Sequence, residues 1–217
     1  MAATHFEIGG DPMTVLQEGE EYCHLGVPTG FKVEQTPVDS LTQMERDLQA
    51  IDRSLLAPWQ KIDVVRTFVL PRIDFILRGG KVAKGPLQRV DAQVRRLVKG
   101  WMYLPNRASA EIVWMDRLEG GAGLLPLADQ VEVASIVHVF RLLTCRDLVV
   151  RSVAKRALVE VVRRRLGRRP TEHDVACYLS GSLDGEFGRD VGNIASIWTG
   201  ARNACRRLAA RTGVRWR

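Results

Sequence analysis

Hydrophobic positions along most of this chain recur at steps of three and four, and the recurrence breaks where proline or glycine intervenes. Leu41, Met44, Leu48, Ile51 and Leu55 form one such stripe, which predicts an amphipathic helix opening near Asp39. Asp39 or Ser40 would supply its N-cap oxygen. Ala57-Pro58 would close it, because the residue before a proline avoids the α region. A second helix begins at Pro58, a favoured first-turn residue, with Ile62, Val65, Val69, Ile73 and Ile76 facing inward. Pro71 removes one of its internal hydrogen bonds and predicts a kink or a break there. Gly79-Gly80 ends it. A third helix, over residues 86–102, carries Leu87, Val90, Val94, Leu97 and Trp101 on one face, with Arg89, Arg95, Arg96 and Lys99 on the others.

The pattern continues as helix upon helix. A short helix is expected over 108–114, and the glycine-rich stretch 119–123 reads as a flexible loop or hinge. A strongly apolar helix over 128–143 is expected to be central to the core. The next, over 147–167, turns Val150, Val153, Ala157 and Val161 inward and Arg151, Lys155, Arg163, Arg164 and Arg165 largely outward. Thr171 followed by Asp174 resembles a capping box with aspartate in place of glutamate, opening a short helix that Gly181 ends. The last helix has Ile194, Ile197, Ala201, Cys205 and Leu208 on its apolar side, with Trp198 adjoining them as a core residue. Arg202, Arg206, Arg207 and Arg211 lie opposite.

Only the first 30 or so residues depart from this period. His5-Phe6-Glu7-Ile8 alternates and then meets Gly9-Gly10-Asp11-Pro12, a strand and a turn. Met13, Val15 and Leu16 offer a second strand, and residues 22–27 a third, closed by Pro28-Thr29-Gly30. The fold expected is mainly α, with a small N-terminal β hairpin packed on the first helices.

Composition narrows the function classes. The 217 residues are 46% hydrophobic and 26% charged, as in ordinary globular proteins. No apolar run approaches the ~20 residues of a membrane span, so no membrane partner is expected. Cys23, Cys145, Cys177 and Cys205 are widely spaced, which excludes a recognisable disulfide framework or zinc spacing and fits a reducing, intracellular compartment. The net charge of +7 is unevenly laid out: −7 over residues 1–50, +4 over 51–140 and +10 over 141–217. A basic C-terminal half suits either a polyanion partner, RNA or DNA, or a merely solubilising surface.

Motifs for catalysis are missing. There is no GxSxG, no Walker lysine loop, no HExxH and no paired aspartates on a strand turn. His173 and Cys177, four apart, have the spacing of two metal ligands without the others a site needs. The arginines carry the stronger signal: Arg163, Arg164, Arg165, Arg168 and Arg169, then Arg202, Arg206, Arg207, Arg211, Arg215 and Arg217, with no balancing acids close by in sequence. Their planar forks match phosphate oxygens, and Trp216 among them offers a surface for stacking bases.

In combination these segments resemble a known family. Tyr22-Cys23-His24-Leu25-Gly26 is similar to the Y-x-H-L-G segment of reverse transcriptases of non-LTR retrotransposons. Leu55-Leu56-Ala57-Pro58-Trp59 and Val69-Leu70-Pro71-Arg72 resemble thumb helices of the elements that insert into ribosomal RNA genes. Arg95-Arg96-Leu97-Val98-Lys99, Leu104-Pro105-Asn106-Arg107, Gly120-Gly121-Ala122-Gly123-Leu124 and Tyr178-Leu179-Ser180-Gly181 continue the match. The resemblance implies three parts: the end of a polymerase palm with its primer grip at 1–33, thumb helices at 39–105, and a basic helical linker at 106–217. It implies that Tyr22, His24, Leu25 and Gly26 grip a primer end, and that Arg95, Arg96 and Lys99 hold nucleic acid behind it. In the family a pair of metal-binding aspartates precedes the grip. Met1 stands 21 residues before Tyr22, so those aspartates, and the magnesium they hold, are not expected in this chain. A truncated element is then expected, binding RNA or DNA without nucleotidyl transfer of its own, or completing a polymerase only with a separately supplied palm, or decayed and functionless. The location expected is intracellular, nuclear or cytoplasmic, and the same resemblance favours the nucleus.

Overall fold

The computed structural model describes residues 7–12, 16–24, 27–30, 35–80, 82–188 and 194–212. Leu25, Gly26, Arg215, Trp216 and Arg217 lie outside them, as do Met13 and Val15. The chain is mainly helical after a small β start.

Strand β1 (Glu7–Ile8) pairs antiparallel with β2 (Asp11–Pro12). Gly9 and Gly10 turn between them at φ 63° and 91°, the two positive values that a tight hairpin turn demands. Strand β3 (Tyr22–His24) pairs with β4 (Val27–Thr29), setting Tyr22 against Thr29 and Cys23 against Pro28. The single strand expected over 22–27 is therefore a hairpin, and Pro28 sits inside its second strand. Proline is tolerated there because a two-stranded ribbon is all edge. Gln35 Nε2 donates to the Pro28 carbonyl at 3.1 Å.

Helix α1 spans Val38–Arg53 and buries Leu41, Met44 and Leu48. Neither Asp39 nor Ser40 caps it. The entry is fixed instead by Thr36, whose buried hydroxyl accepts the Ala83 amide at 2.9 Å, and by Pro37 in the N-cap position. Leu55, expected on the inward stripe, is fully exposed beyond the helix end. Helix α2 (Pro58–Val64) opens with Gln60 accepting the Ala57 amide at 2.9 Å. As expected, the helix does not survive Pro71. The backbone widens to a π turn over Val65–Val69, where the Leu70 amide reaches Val65, and tightens to a 3₁₀ turn over Leu70–Ile73 before α3 (Asp74–Gly79). The change of register absorbs the missing proline donor while Val65, Val69, Leu70 and Ile73 stay buried.

Helix α4 (Lys84–Trp101) buries the stripe read from its sequence, Leu87, Val90, Val94, Leu97 and Trp101. Trp101 Nε1 donates to Asp52 at 2.8 Å, and Lys61 lies over its ring at 5.8 Å. Helix α5 is a single turn, Glu111–Trp114. The glycine stretch after it is not a hinge. The amides of Gly121, Ala122 and Gly123 donate to Asp116, Ile112 and Met115, each at 2.9 Å, and Ala122 and Leu124 are buried. Glycine composition hid a turn that is pinned through its backbone.

Helix α6 (Leu127–Leu143) joins two hydrophobic clusters. Its first turns, with Leu127 and Val131, complete a core built from α1 through α4 together with Val113 and Leu124. This core runs past residue 105. Val139, further along α6, enters a second core with helices α7 (Leu148–Leu166), α8 (Glu172–Leu179) and α9 (Ile197–Thr212). Asp147 caps α7 and Gly167 ends it at φ 71°. The inward side of α7 is Ala154, Leu158 and Val162; of the expected set only Val161 packs on the core, while Val150, Val153 and Ala157 are exposed. Valines on every side of α7 flatten the amphipathic signal, so its sequence does not select a face. The capping box of α8 forms as expected, with the Asp174 amide donating to Thr171 Oγ1 and the Thr171 amide to Asp174.

Candidate nucleic-acid interface

The arginines fall into two groups with different surroundings. On α4 the outward positions Ala92, Arg96 and Lys99 recur at helical spacing, flanked by Arg89 and Arg95. Arg89, Arg95 and Arg96 are exposed and make no ion pair among the described residues. Lys99 is half-buried and donates to the Ala108 carbonyl, bracing the loop that follows. The opposite face of the helix is core, so these cations are held on a rigid element.

The C-terminal arginines are largely spoken for. Glu160 binds Arg163 at 2.8 and 2.9 Å and Arg164 at 2.8 Å. The two guanidinia hold its carboxyl down at about 2. One carboxylate shared by two guanidinia still leaves positive charge on this exposed turn. Arg168 grips Asp174 with both forks, at 2.7 and 3.0 Å, and reaches Glu186 at 3.1 Å. Its guanidinium, seconded by the Thr171 amide, holds the Asp174 carboxyl well below the usual range. Arg165 donates to the Phe187 carbonyl at 3.0 Å. Arg169 and Arg206 are exposed and form no ion pair among the described residues.

Two expectations need correction. Arg202, read as an outward cation, is 2% exposed. It lies 5.2 Å over the Tyr178 ring and donates to the carbonyls of Ser182 at 2.7 Å and Phe187 at 3.1 Å. It therefore stitches the loop after α8 onto α9 and is withdrawn from any surface. Burial, with Arg165 nearby, lowers its pKa. The arginines also do have balancing acids, near in sequence at Glu160 and Asp174, three to six positions from the arginines they bind, and far from it as well. Arg207 pairs with Glu132, 75 positions away, and Arg211 with Asp129, 82 positions away. Sequence proximity could not reveal partners so distant.

Glu132 is the centre of that second arrangement. It is 2% exposed on α6, and both Lys84 of α4 and Arg207 of α9 donate to it. Burial alone would raise its pKa; the two cations outweigh burial and lower it. Asp47 is lowered likewise, by Gln43 and Arg72. Each of these carboxylates, with Glu160 and Asp174, is ionised more readily folded than unfolded. Their stabilisation is complete above the ordinary carboxylate range and is lost as pH falls through the folded values. The melting temperature is expected to fall steadily from about pH 4.5 towards pH 2, as a series of circular-dichroism melts would record. A midpoint flat across that range would mean the pairs do not form.

Sequence reading did not single out Arg78 or His138. They share the wall of a mixed groove of about 530 Å³ with Gln35, Leu77, Ile197, Thr199 and Asn203. An apolar groove of about 380 Å³ opens between α6, α8 and α9, with Phe140 and Leu143 in its wall. His173 and Cys177 stand at its edge, Nε2 3.4 Å from Sγ. Of the four expected primer-grip residues, Tyr22 is 61% exposed on β3 and His24 closes that strand; Leu25 and Gly26 lie outside the described residues. Among the described residues no helix is long and apolar enough to cross a membrane.

No protein-family model matches the chain. Among curated proteins, it is 27% identical over 176 residues to an uncharacterised protein of Caenorhabditis elegans, covering 80% of this chain and 51% of that one. It is 28% identical over 127 residues to the retrovirus-related Pol polyprotein from the type-2 retrotransposable element R2DM of Drosophila melanogaster, covering 57% of this chain and 12% of the polyprotein. A third match is the Pol polyprotein from the type-1 retrotransposable element R2 of Popillia japonica, 22% identical over 215 residues, 90% of this chain and 44% of that one. The chain thus spans about half the length, or less, of the curated relatives it matches. The two Pol polyprotein matches relate it to R2-type non-LTR retrotransposons.

Proposed function

We propose that the chain is a reverse-transcriptase-derived protein that binds RNA or DNA through helix faces, with residues 39–105 acting as a thumb and 106–217 as a basic linker, in the nucleus. The observation that carries this reading is the outward face of α4, where Arg89, Arg95 and Arg96 stand exposed and form no ion pair among the described residues, on a helix locked into the core. Exposed guanidinia on a rigid helix can follow the phosphates of a duplex without reading its bases. Arg163, Arg164, Arg169 and Arg206 add positive charge along α7, the loop after it and α9, whereas Arg168, Arg202 and Arg207 serve the fold. The exposed Tyr22, the adjoining His24 and the match at Leu25 and Gly26 fit the strand-end grip of a primer.

Four to six neutralised phosphates would give log K against log salt a slope of about −4 to −5. Titration of a primer–template duplex at several salt concentrations measures it. Replacing Arg95 and Arg96 together by alanine is expected to make the slope shallower by about 2. A wild-type slope near zero would overturn the reading.

A further inference from the structure

The end of α4 is built in an unusual way. Tyr103 sits there at φ 54°, the one non-glycine residue with positive φ among the described residues. Its amide donates to Gly100 at 3.1 Å, and the next amide, of Leu104, donates to Lys99 at 2.9 Å. A left-handed residue at this point is the ordinary way to close a helix, and glycine is its ordinary occupant. Helix α7 closes in that manner, with Gly167 at φ 71°. At Tyr103 the same conformation costs about 1–2 kcal/mol through its Cβ. Burial does not offset that cost, because Tyr103 is 89% exposed. Strain of this kind, without packing return, clusters at positions that contact ligands.

The surroundings say which contact. Tyr103 lies two residues beyond the end of α4, the helix whose outward face carries the exposed Arg95 and Arg96, so its exposed ring stands at the end of the element that holds those cations. Trp101, two residues earlier, is buried and bonded to Asp52, which fixes the helix end in place. The last carbonyls of α4 point the same way as the helix axis and repel phosphate at this spot, while an aromatic face attracts any base. We propose that Tyr103 is a stacking platform for an unpaired base, where a duplex lying along the Arg95–Arg96 face ends in a single strand. The inference rests on the nucleic-acid reading above.

The test uses the full chain and two RNA–DNA hairpin duplexes, one blunt and one with a 2-aminopurine overhang. Wild type is expected to bind both, the overhang more tightly, with the 2-aminopurine emission quenched. Tyr103→Leu keeps the backbone strain and removes the ring; Tyr103→Gly removes both; Tyr103→Phe keeps both. Leu and Gly are expected to weaken overhang binding about 5- to 100-fold and abolish the quench, with blunt-duplex affinity unchanged, and Phe to match wild type. Tyr103→Gly is also expected to raise the melting temperature by a few degrees. Unchanged overhang affinity in Leu and Gly, equal losses on both duplexes, or a lower melting temperature in Gly would overturn the platform while leaving duplex binding in place. Failure of wild type on both duplexes would overturn the nucleic-acid reading and the platform with it.

Discussion

Gly121→Ala is expected to destabilise the fold by about 4 kcal/mol, at the upper end of single-residue effects. A Cβ at Gly121 would stand 2.1 Å from the Met115 carbonyl oxygen and 2.5 Å from its carbon. That oxygen has no freedom to retreat, because it accepts the Gly123 amide at 2.9 Å, while Gly121 itself is tied to Asp116. Relieving the clash means opening the turn and withdrawing Ala122 and Leu124 from the first core. The neighbouring Gly120 supplies the control. It has φ 88° and open space where a Cβ would go, so Gly120→Ala should cost only the left-handed strain, about 1 kcal/mol. Urea denaturation of both variants measures the difference. Equal losses would show that strain, and not the backbone approach, sets the requirement for glycine.

Asp91→Ala is expected to cost about 3 kcal/mol. The carboxylate of Asp91, buried on α4, accepts the Leu127 amide at 2.8 Å and the Ala128 amide at 3.0 Å. It is a cap supplied from a different helix, since Pro126 in the N-cap position of α6 has no side-chain acceptor to offer. Alanine would orphan two buried donors at about 1–3 kcal/mol each, less what the helix end recovers from water. Asp91→Asn keeps one acceptor and should fall between alanine and wild type in urea denaturation. Burial pushes the Asp91 carboxyl up, against the two amides that pull it down. Its contribution is therefore complete below the ordinary carboxylate range and declines as pH rises through the folded value, opposite in sign to Glu132. An alanine variant as stable as wild type would show that the cap adds nothing.

Much of the architecture is legible in the sequence because it is local. The stripe of α4, the break at Pro71, and the Thr171–Asp174 box each follow from residues within a turn or two of one another, and each forms. The turn after α5 misleads because its bonds run through the backbone, and glycine content reads only as freedom. Arg202 misleads for a different reason. An arginine among alanines on a helix looks solvent-facing, and nothing nearby in sequence shows that the loop after α8 will present two carbonyls to it. The pairing of Glu132 with Lys84 and Arg207 is equally invisible, since each partner comes from another helix. So the presence of a basic surface could be read from the chain, while which cations remain available for a partner depended on near acids, Glu160 and Asp174, and on distant ones, Glu132 and Asp129.

Helix α6 lends its first turns to one core and its later turns to the other, and this sets how the molecule opens. Neither half can melt while leaving α6 intact for its neighbour. Amides near Val131 and near Val139 should exchange with solvent through the same rare event, at the rate of global unfolding, while those of the β1–β2 ribbon exchange through local openings. The two clusters are distinct in space, and hydrogen exchange is expected to report them as one cooperative unit.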